Sequence, residues 1–134
     1  VIGDLPPQLA KAHQCSREIH DLFAQEAKPG VPCAHLYAMA KEFAMQAGFD
    51  DYFMGHGEGQ VRFIGHGFGL EIDEFPLIAP NFEGALAQNM VIAYEPKFVF
   101  PGKGVVGMED DYLVTPTGVE RLTLTEQELI KLKP

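Results

Sequence analysis

A histidine, His66, stands between Gly65 and Gly67 in the segment RFIGHGFGLEIDEFP, residues 62–76. An imidazole can bind a metal ion or carry a proton near neutral pH. Glycine lets the backbone bend and approach a neighbouring strand closely, so the imidazole can project into a shared cleft. The alternative is that the glycines mark a bulge or turn beside an ordinary histidine. A phosphate-binding loop is disfavoured, because no Lys-Ser/Thr pair and no clear helix start follow.

Two glutamates border apolar runs further along the chain. Glu95 follows MVIAY and precedes a proline, and Glu109 lies in GMEDDYLV, just before another apolar run. Burying such carboxylates without a partner is costly. A dication bound by nitrogen and oxygen ligands offsets that cost. The separations exclude a single helix, so His66, Glu95 and Glu109 would converge from separate strands as a metal site.

The composition limits the class of protein. The chain has 134 residues, 46% of them apolar and 22% charged, which is typical of one globular domain. A net charge of −9 with scattered lysines and arginines argues against a nucleic-acid partner. No apolar run approaches the roughly 20 residues that span a bilayer, and no signal peptide is recognisable. Cys15 and Cys33 are interpreted as reduced, buried thiols, and we expect a cytoplasmic protein.

Two helices must come first. DLPPQLAKAHQCSREIHDLFAQEAKPG predicts a helix that starts near Pro6 and Pro7 and stops at Pro29. VPCAHLYAMAKEFAMQAG predicts a second helix that ends at Gly48. The predicted inward faces are Leu9, Ala12, Ser16, Ile19 and Phe23 on the first helix, and Leu36, Ala40, Phe43 and Ala47 on the second.

The remainder indicates a sheet. Residues 1–3 are interpreted as the end of a strand. Strands are predicted over 60–65, 70–74, 90–100 and 104–115, and VERLT at 119–123 is interpreted as a hairpin partner. LTEQELIKLK at 124–133 predicts a short final helix, with Thr125 and Glu128 at capping-box spacing. The fold class is therefore α+β, two helices followed by a curved, mostly antiparallel sheet.

Three motifs in this order resemble the pita-bread metallopeptidases. They are FIGHGFGLEIDEFP, NMVIAYEP and GVVGMEDDYLVTPTGVERLT. That family includes methionine aminopeptidase, aminopeptidase P, prolidase and the non-peptidase creatinase. The resemblance covers essentially all of residues 1–134 and is strongest to the Xaa-Pro peptidase-like branch. It implies that the chain is the C-terminal portion of a single catalytic domain.

The resemblance also implies a site with two divalent metal ions. His66, Glu95 and Glu109 would be three of its ligands, and two aspartates on an upstream hairpin outside this chain would be the others. Glu95 would also shuttle a proton, and Glu109 would bridge the metals. The oxygen-rich ligand set suits manganese, cobalt or iron better than zinc. This piece by itself is expected to be inactive, either with metal bound or without it.

Three further residues are candidates for contact with substrate. Many family members carry a substrate-contacting histidine seven residues after the ligand histidine, where this chain has Asp73. Asp73 is therefore a catalytic candidate that would be protonated or would bind a substrate amine; the alternative is a surface acid. Arg62 replaces another substrate-contacting histidine of proline-specific members. His56 is a further candidate, although a turn histidine in a flexible glycine loop is the favoured interpretation.

The expected function is that of a metal-dependent exopeptidase, of aminopeptidase or Xaa-Pro dipeptidase type, that uses a metal-activated water on a peptide substrate. The alternatives are a creatinase-type C–N hydrolase and a metal-free binding module on the same fold. Without the upstream hairpin, apolar surface and strand edges would be exposed. We therefore expect a homodimer or another form of self-association.

Overall fold

Two helices open the chain in the computed structural model, which describes residues 1–133. Helix α1 spans Pro7–Glu26 and helix α2 spans Cys33–Gln46. A proline stands at the N-terminal cap of each, where the first helical N–H groups lack an acceptor within the helix. Gly48 follows α2 with a φ of +82°, in the left-handed region that favours glycine. Both predicted helices are thereby confirmed.

Antiparallel strands make up the rest of the ordered framework. Within residues 1–133 they are β1 (Gly65–Gly67), β2 (Glu74–Ile78), β3 (Val91–Tyr94), β4 (Lys97–Phe100), β5 (Gly104–Gly107), β6 (Asp110–Val114) and β7 (Val119–Arg121). One sheet has the order β2-β1-β3-β6-β7, and β4 and β5 form a separate hairpin. Two single-turn helices, Asp50–Tyr52 and Gly57–Gly59, precede β1. The predicted α+β class is confirmed, as is the pairing of β7 with β6.

Helix α1 covers one face of the five-stranded sheet. The Phe23 ring stacks on Tyr94 of β3, with ring centroids 4.1 Å apart, and meets Tyr112 of β6 edge-on at 5.0 Å. Full burial of such a side chain contributes about 1.5–3 kcal/mol. The predicted stripe of α1 is buried at Ala12, Ser16, Ile19 and Phe23, and Leu9 packs against it. This face of the sheet is therefore closed to solvent.

The predicted inward face of α2 is only partly correct. Leu36 and Ala40 are buried, Phe43 is partly buried and Ala47 is exposed. The helix instead also buries Cys33, Tyr37 and Ala44. Both cysteines are free and buried, as predicted, and burial raises the pKa of the Cys15 thiol to about 12 and that of Cys33 to about 11.

The long strands predicted over 90–100 and 104–115 are each interrupted. The first divides into β3 and β4 around Glu95 and Pro96, and the second into β5 and β6 around Met108 and Glu109. Pro96 has no N–H to donate to a ladder. Its carbonyl accepts hydrogen bonds from the Met108 N–H at 3.3 Å and from the Ser16 hydroxyl at 2.8 Å. The chain therefore passes from β3 into the β4–β5 hairpin and returns from the hairpin into β6 at the same end of the five-stranded sheet.

The strands predicted over 60–65 and 70–74 are displaced towards the C-terminus. The first predicted strand is replaced by the short strand β1, which begins at Gly65. Residues 69–73, where the second was predicted, form bends before β2. The alternation of apolar and acidic residues at 70–74 therefore marks a loop, in which Leu70 and Ile72 are exposed.

The prediction of a final helix is wrong for the described residues. No helix lies between 122 and 133, and Glu128 pairs with Arg17 of α1 at 2.8 Å instead of closing a capping box with Thr125. The strand end predicted at residues 1–3 is a single parallel bridge from Ile2 to Leu132. The conformation of residues 122–133 is therefore determined by contacts with distant residues near the start of the chain. None of the helices in residues 1–133 is both long and apolar enough to cross a bilayer.

Candidate metal and substrate site

His66 lies in the middle of β1, between two strands. A Cβ added to Gly65 would come within 2.7 Å of the Ala93 carbonyl oxygen, and one added to Gly67 within 2.5 Å of the Phe75 carbonyl oxygen. The glycines therefore allow the close approach that the sequence predicted. The pairing of β1 with β2 also shifts between His66 and Gly67, so the alternative of a bulge is present as well.

The His66 ring presents its Nε2 atom to the site. Nδ1 lies 3.0 Å from the Gly67 carbonyl oxygen, which accepts a hydrogen bond from a protonated Nδ1. In a neutral ring Nε2 then carries the lone pair. Oδ1 of Asp73 lies 3.3 Å from Nε2, although the Asp73 side chain is 67% exposed. A carboxylate and a ring lone pair at this distance are compatible when a cation or a proton lies between them, and this arrangement fits a metal-binding histidine.

Glu95 and Glu109 lie side by side where the two sheets meet. The last pair of the β3–β6 ladder is Tyr94 with Asp110, and the two glutamates follow at the same end. Together they line a cavity of about 280 Å³. The Glu95 side chain is 18% exposed, and its backbone N–H donates to the Ile64 carbonyl at 2.8 Å. Glu109 is exposed, so the burial expected for it is wrong.

Strand register places the three predicted ligands on one face of the sheet. His66 is directly opposite Ala93, and side chains alternate along a strand, so Glu95 projects on the same side as His66. Continuing the β3–β6 register by one step sets Glu109 opposite Glu95. The nitrogen and oxygen donors suit a divalent metal. Within residues 1–133, however, no three His, Cys, Asp or Glu side chains are close enough to hold a metal by themselves.

A lysine that the sequence analysis missed completes this end of the site. Nζ of Lys97 lies 2.5 Å from Oε2 of Glu95, and Lys97 lines the same cavity. The sequence signal for Lys97 was its spacing from Glu95, since residues two apart on a strand share a face. The sequence alone did not indicate that the strand would break at Pro96 and still keep this pair together.

Arg62 and His56 line other cavities. Arg62 lies with Tyr37, Lys41 and Met45 around a cavity of about 560 Å³. His56 is exposed beside a cavity of about 300 Å³, and its Nδ1 is 3.2 Å from the Asp51 carbonyl oxygen. None of the three predicted metal ligands lines either cavity. A substrate role for Arg62 and His56 stays a prediction.

The opposite face of the sheet holds a buried polar cluster, which we define as His20, Asp110 and Tyr112. Nε2 of His20 lies 3.2 Å from the Met108 carbonyl oxygen and must donate to it, so Nδ1 accepts from the Tyr112 hydroxyl at 3.0 Å. Asp110 accepts a hydrogen bond from the Gln127 amide. Burial lowers the pKa of His20 and raises that of Tyr112, so both are neutral near pH 7. The cluster fixes the backbone on either side of Glu109.

Comparison with known proteins identifies similar chains. A model of metallopeptidase family M24 matches residues 1–116. The Xaa-Pro dipeptidase of Pyrococcus furiosus is 35% identical over 130 residues, which are 97% of this chain and 35% of that protein. A solved prolidase from Pyrococcus furiosus has a TM-score of 0.83 and 35% identity, over 92% of this chain and 35% of that one. An X-Pro aminopeptidase from Thermotoga maritima has a TM-score of 0.87 and 27% identity, over 98% and 35%.

These similarities confirm the predicted fold, because two helices and the antiparallel sheet superimpose on proteins of the pita-bread type. The chain spans about a third of the length of the curated relatives that it matches.

Proposed function

The chain belongs to metallopeptidase family M24, and on this premise we propose that the intact protein is a metal-dependent exopeptidase of the Xaa-Pro dipeptidase or aminopeptidase type. The observation that supports this best is the placement of His66, Glu95 and Glu109 on one face of the sheet. The matched region contains all three residues, and the relatives named above are Xaa-Pro peptidases.

The three residues would supply part of a site for two divalent metal ions. His66 would bind through Nε2, because Nδ1 is engaged with the Gly67 carbonyl. Glu95 and Glu109 would bind through their carboxylates, and the rest of the protein would provide further ligands. Bound divalent ions supply a polarised carbonyl and a water of lowered pKa in hydrolases of this kind. An oxygen-rich ligand set favours manganese, cobalt or iron over zinc.

Proton transfer is assigned to Glu95. Glu95 would take the proton of the attacking water and return it to the leaving amine nitrogen, and in this structure its Oε2 pairs with Lys97. A general base of this kind contributes on the order of 10²–10⁴-fold to the rate. Ionised Asp73, beside His66, would bind the ammonium group of the substrate, because an ionised carboxylate only accepts hydrogen bonds.

A panel of substrates tests this function in the intact protein. The protein is stripped with a chelator and assayed on a dipeptide ending in proline, an Xaa-Pro tripeptide, a proline-free dipeptide and creatine, before and after addition of Mn²⁺, Co²⁺, Fe²⁺ or Zn²⁺. We expect hydrolysis of a proline-containing peptide only after metal is restored. Hydrolysis of creatine alone would replace the proposal with a creatinase-type activity, and metal-independent peptide cleavage would contradict the two-metal site.

A metal-free binding module is the second candidate. It is favoured by the Lys97 ammonium on Glu95 and by the lack of a three-donor group within residues 1–133. The same panel separates the candidates, because a binding module would hydrolyse nothing and would take up no metal in equilibrium dialysis.

Self-association is proposed for the 134-residue chain. The edge strand β2 carries Phe75, which is 77% exposed, and the segment after the other edge strand, β7, exposes Leu122 and Leu124. Exposed apolar groups beside unpaired strand edges favour pairing between copies. We expect light scattering to give at least the mass of a dimer, and a monodisperse monomer would contradict this.

A further inference from the structure

Lys97 is held against a predicted metal ligand by the architecture of the hairpin. It is the first residue of β4, directly opposite Gly107 of β5. A Cβ added to Gly107 would lie 2.6 Å from the Lys97 Cβ, so the lysine stem passes over a position that only glycine leaves open. The ammonium therefore reaches Glu95 from a fixed direction.

Three charged groups then surround one cavity. The carboxylates of Glu95 and Glu109 and the ammonium of Lys97 line about 280 Å³, with Val105, Gly107 and Met108 forming the rest of the wall. Nζ of Lys97 is 2.5 Å from Oε2 of Glu95, and the two side chains are 29% and 18% exposed. A pair that is partly withdrawn from water is screened less than one on the open surface.

We propose that Lys97 sets the metal affinity of this site by competing with the metal cation for Glu95. The inference rests on the proposed function, because it assumes that Glu95 is a ligand. A cation that takes Oε2 must displace the ammonium, and a cation that takes Oε1 must tolerate a positive charge close to it. Both routes weaken metal binding, since like charges repel most strongly where water is scarce.

The same ammonium has a second effect on the metal-stripped protein. It offsets the repulsion between the carboxylates of Glu95 and Glu109, which lie at the same end of the β3–β6 ladder. Removing the charge therefore strengthens metal binding and destabilises the stripped protein. A residue that merely packed against the hairpin would change stability without tightening metal binding.

The test uses the intact protein, stripped with a chelator and titrated with Mn²⁺ in a calorimeter. Lys97→Met keeps the stem over Gly107 and removes the charge, and Lys97→Arg keeps the charge. Lys103→Met is the matched control, because Lys103 lies in the turn of the same hairpin and donates to Gln8. If Lys97→Met fails to fold, Lys97→Gln replaces it.

We expect Lys97→Met to bind Mn²⁺ about five- to tenfold more tightly than wild type, which corresponds to the loss of one partly buried ion pair. Lys97→Arg and Lys103→Met should stay within about twofold of wild type. Thermal unfolding of the stripped proteins supplies the second readout, in which Lys97→Met should melt below both Lys97→Arg and Lys103→Met.

The outcomes separate this inference from the proposed function. Mn²⁺ binding by wild type with equal or weaker binding by Lys97→Met overturns the competition alone. No Mn²⁺ binding by wild type, Lys97→Met or Lys97→Gln overturns the metal site and the inference with it. If Mn²⁺ binds only to variants in which residue 97 is neutral, the metal site and the competition are both supported, because the lysine then prevents binding completely.

Discussion

The two faces of the five-stranded sheet use the same kinds of residue in opposite ways. Beneath α1, His20 and Asp110 are 1% and 2% exposed, and each has defined hydrogen-bond partners. On the other face, His66 contacts an exposed aspartate, and Glu95 and Glu109 border a cavity. Adjacent residues at the start of β6 thus belong to different environments, since Asp110 is buried and Glu109, just before the strand, is exposed.

We infer from this difference that the helix face mainly stabilises the fold and that the site face supplies the groups for chemistry. A buried polar cluster with its partners in place holds the backbone in one conformation. Carboxylates that border an open cavity, as Glu95 and Glu109 do, remain available for a ligand. We therefore expect substitutions on the site face to change activity and substitutions on the helix face to change stability.

The largest effect is expected from Glu109→Gln in the intact protein. Turnover should fall at least about 100-fold, and the number of bound metal ions should fall, because the loss of a ligand weakens binding of the ion that stabilises charge in the transition state. The free energy of unfolding of the metal-stripped protein should change by less than about 0.5 kcal/mol, since Glu109 is exposed. Glu26→Gln, at the end of α1, is the control. Unchanged turnover and metal content would remove Glu109 from the site.

The helix face should give the converse result with Phe23→Ala. Phe23 is fully buried and stacks on Tyr94, so its truncation should lower the free energy of unfolding by about 3–5 kcal/mol in urea unfolding. Leu124→Ala, at an exposed position, serves as the control and should change stability by less than about 0.5 kcal/mol. A loss below about 1 kcal/mol for Phe23→Ala would contradict the packing described above.

The buried polar cluster should make stability depend on pH. Burial is the main cause of the lowered pKa of His20, and Arg121 lowers it further, while the Met108 carbonyl, Asp110 and Asp21 act in the opposite direction. The unfolded chain then binds the proton more readily than the folded one. The stabilisation is fully present above pH 6.5, the ordinary value, and declines as the pH falls below it.

His20→Leu isolates this contribution. The variant should lose about 1–3 kcal/mol at pH 8, because the Met108 carbonyl and the Tyr112 hydroxyl lose their partner. Its stability should decline less than that of wild type between pH 7 and pH 5 in urea unfolding. His20→Gln, which can still donate to the Met108 carbonyl, should recover part of the loss at pH 8. An identical pH dependence in wild type and His20→Leu would contradict the neutral, buried His20.

The smallest effect should come from Glu128→Gln. Its partner Arg17 lies on α1, and the Glu128 side chain is 71% exposed, so the pair should contribute less than about 1 kcal/mol. Hydrogen exchange of residues 122–133 should rise slightly, and turnover should stay unchanged. A large loss of stability would show that this segment is held mainly by the ion pair.

Local sequence patterns were sufficient to locate the helices and to predict the close approach of strands at His66. Prolines, glycines and apolar spacing located α1 and α2, since capping and burial act within a few residues. The glycines around His66 indicated the close approach of neighbouring strands, which the structure confirms. The assignment of His66, Glu95 and Glu109 as metal ligands stays a prediction, because their functional test lies in the intact protein.

Patterns failed where distant segments compete for the same residues. The run at 90–100 has the apolar character of one strand, but the break at Pro96 divides it between two sheets. Residues 124–133 have helical spacing, but they form an irregular segment that contacts Arg17 and Val1. Pro96 is a local cause of the break, but the different partners of β3 and β4, like the contacts of residues 124–133, come from distant segments.

The sequence by itself determined the two helices, the α+β class and the types of side chain that can do chemistry, because these follow from local propensity and periodicity. Only the tertiary structure decided that Glu109 is exposed, that Lys97 rests on Glu95, and that His20 fixes the backbone beside Glu109. Each of these contacts depends on strand register and on the junction between two sheets. Register is set by the summed packing of both faces, which no short stretch of sequence encodes.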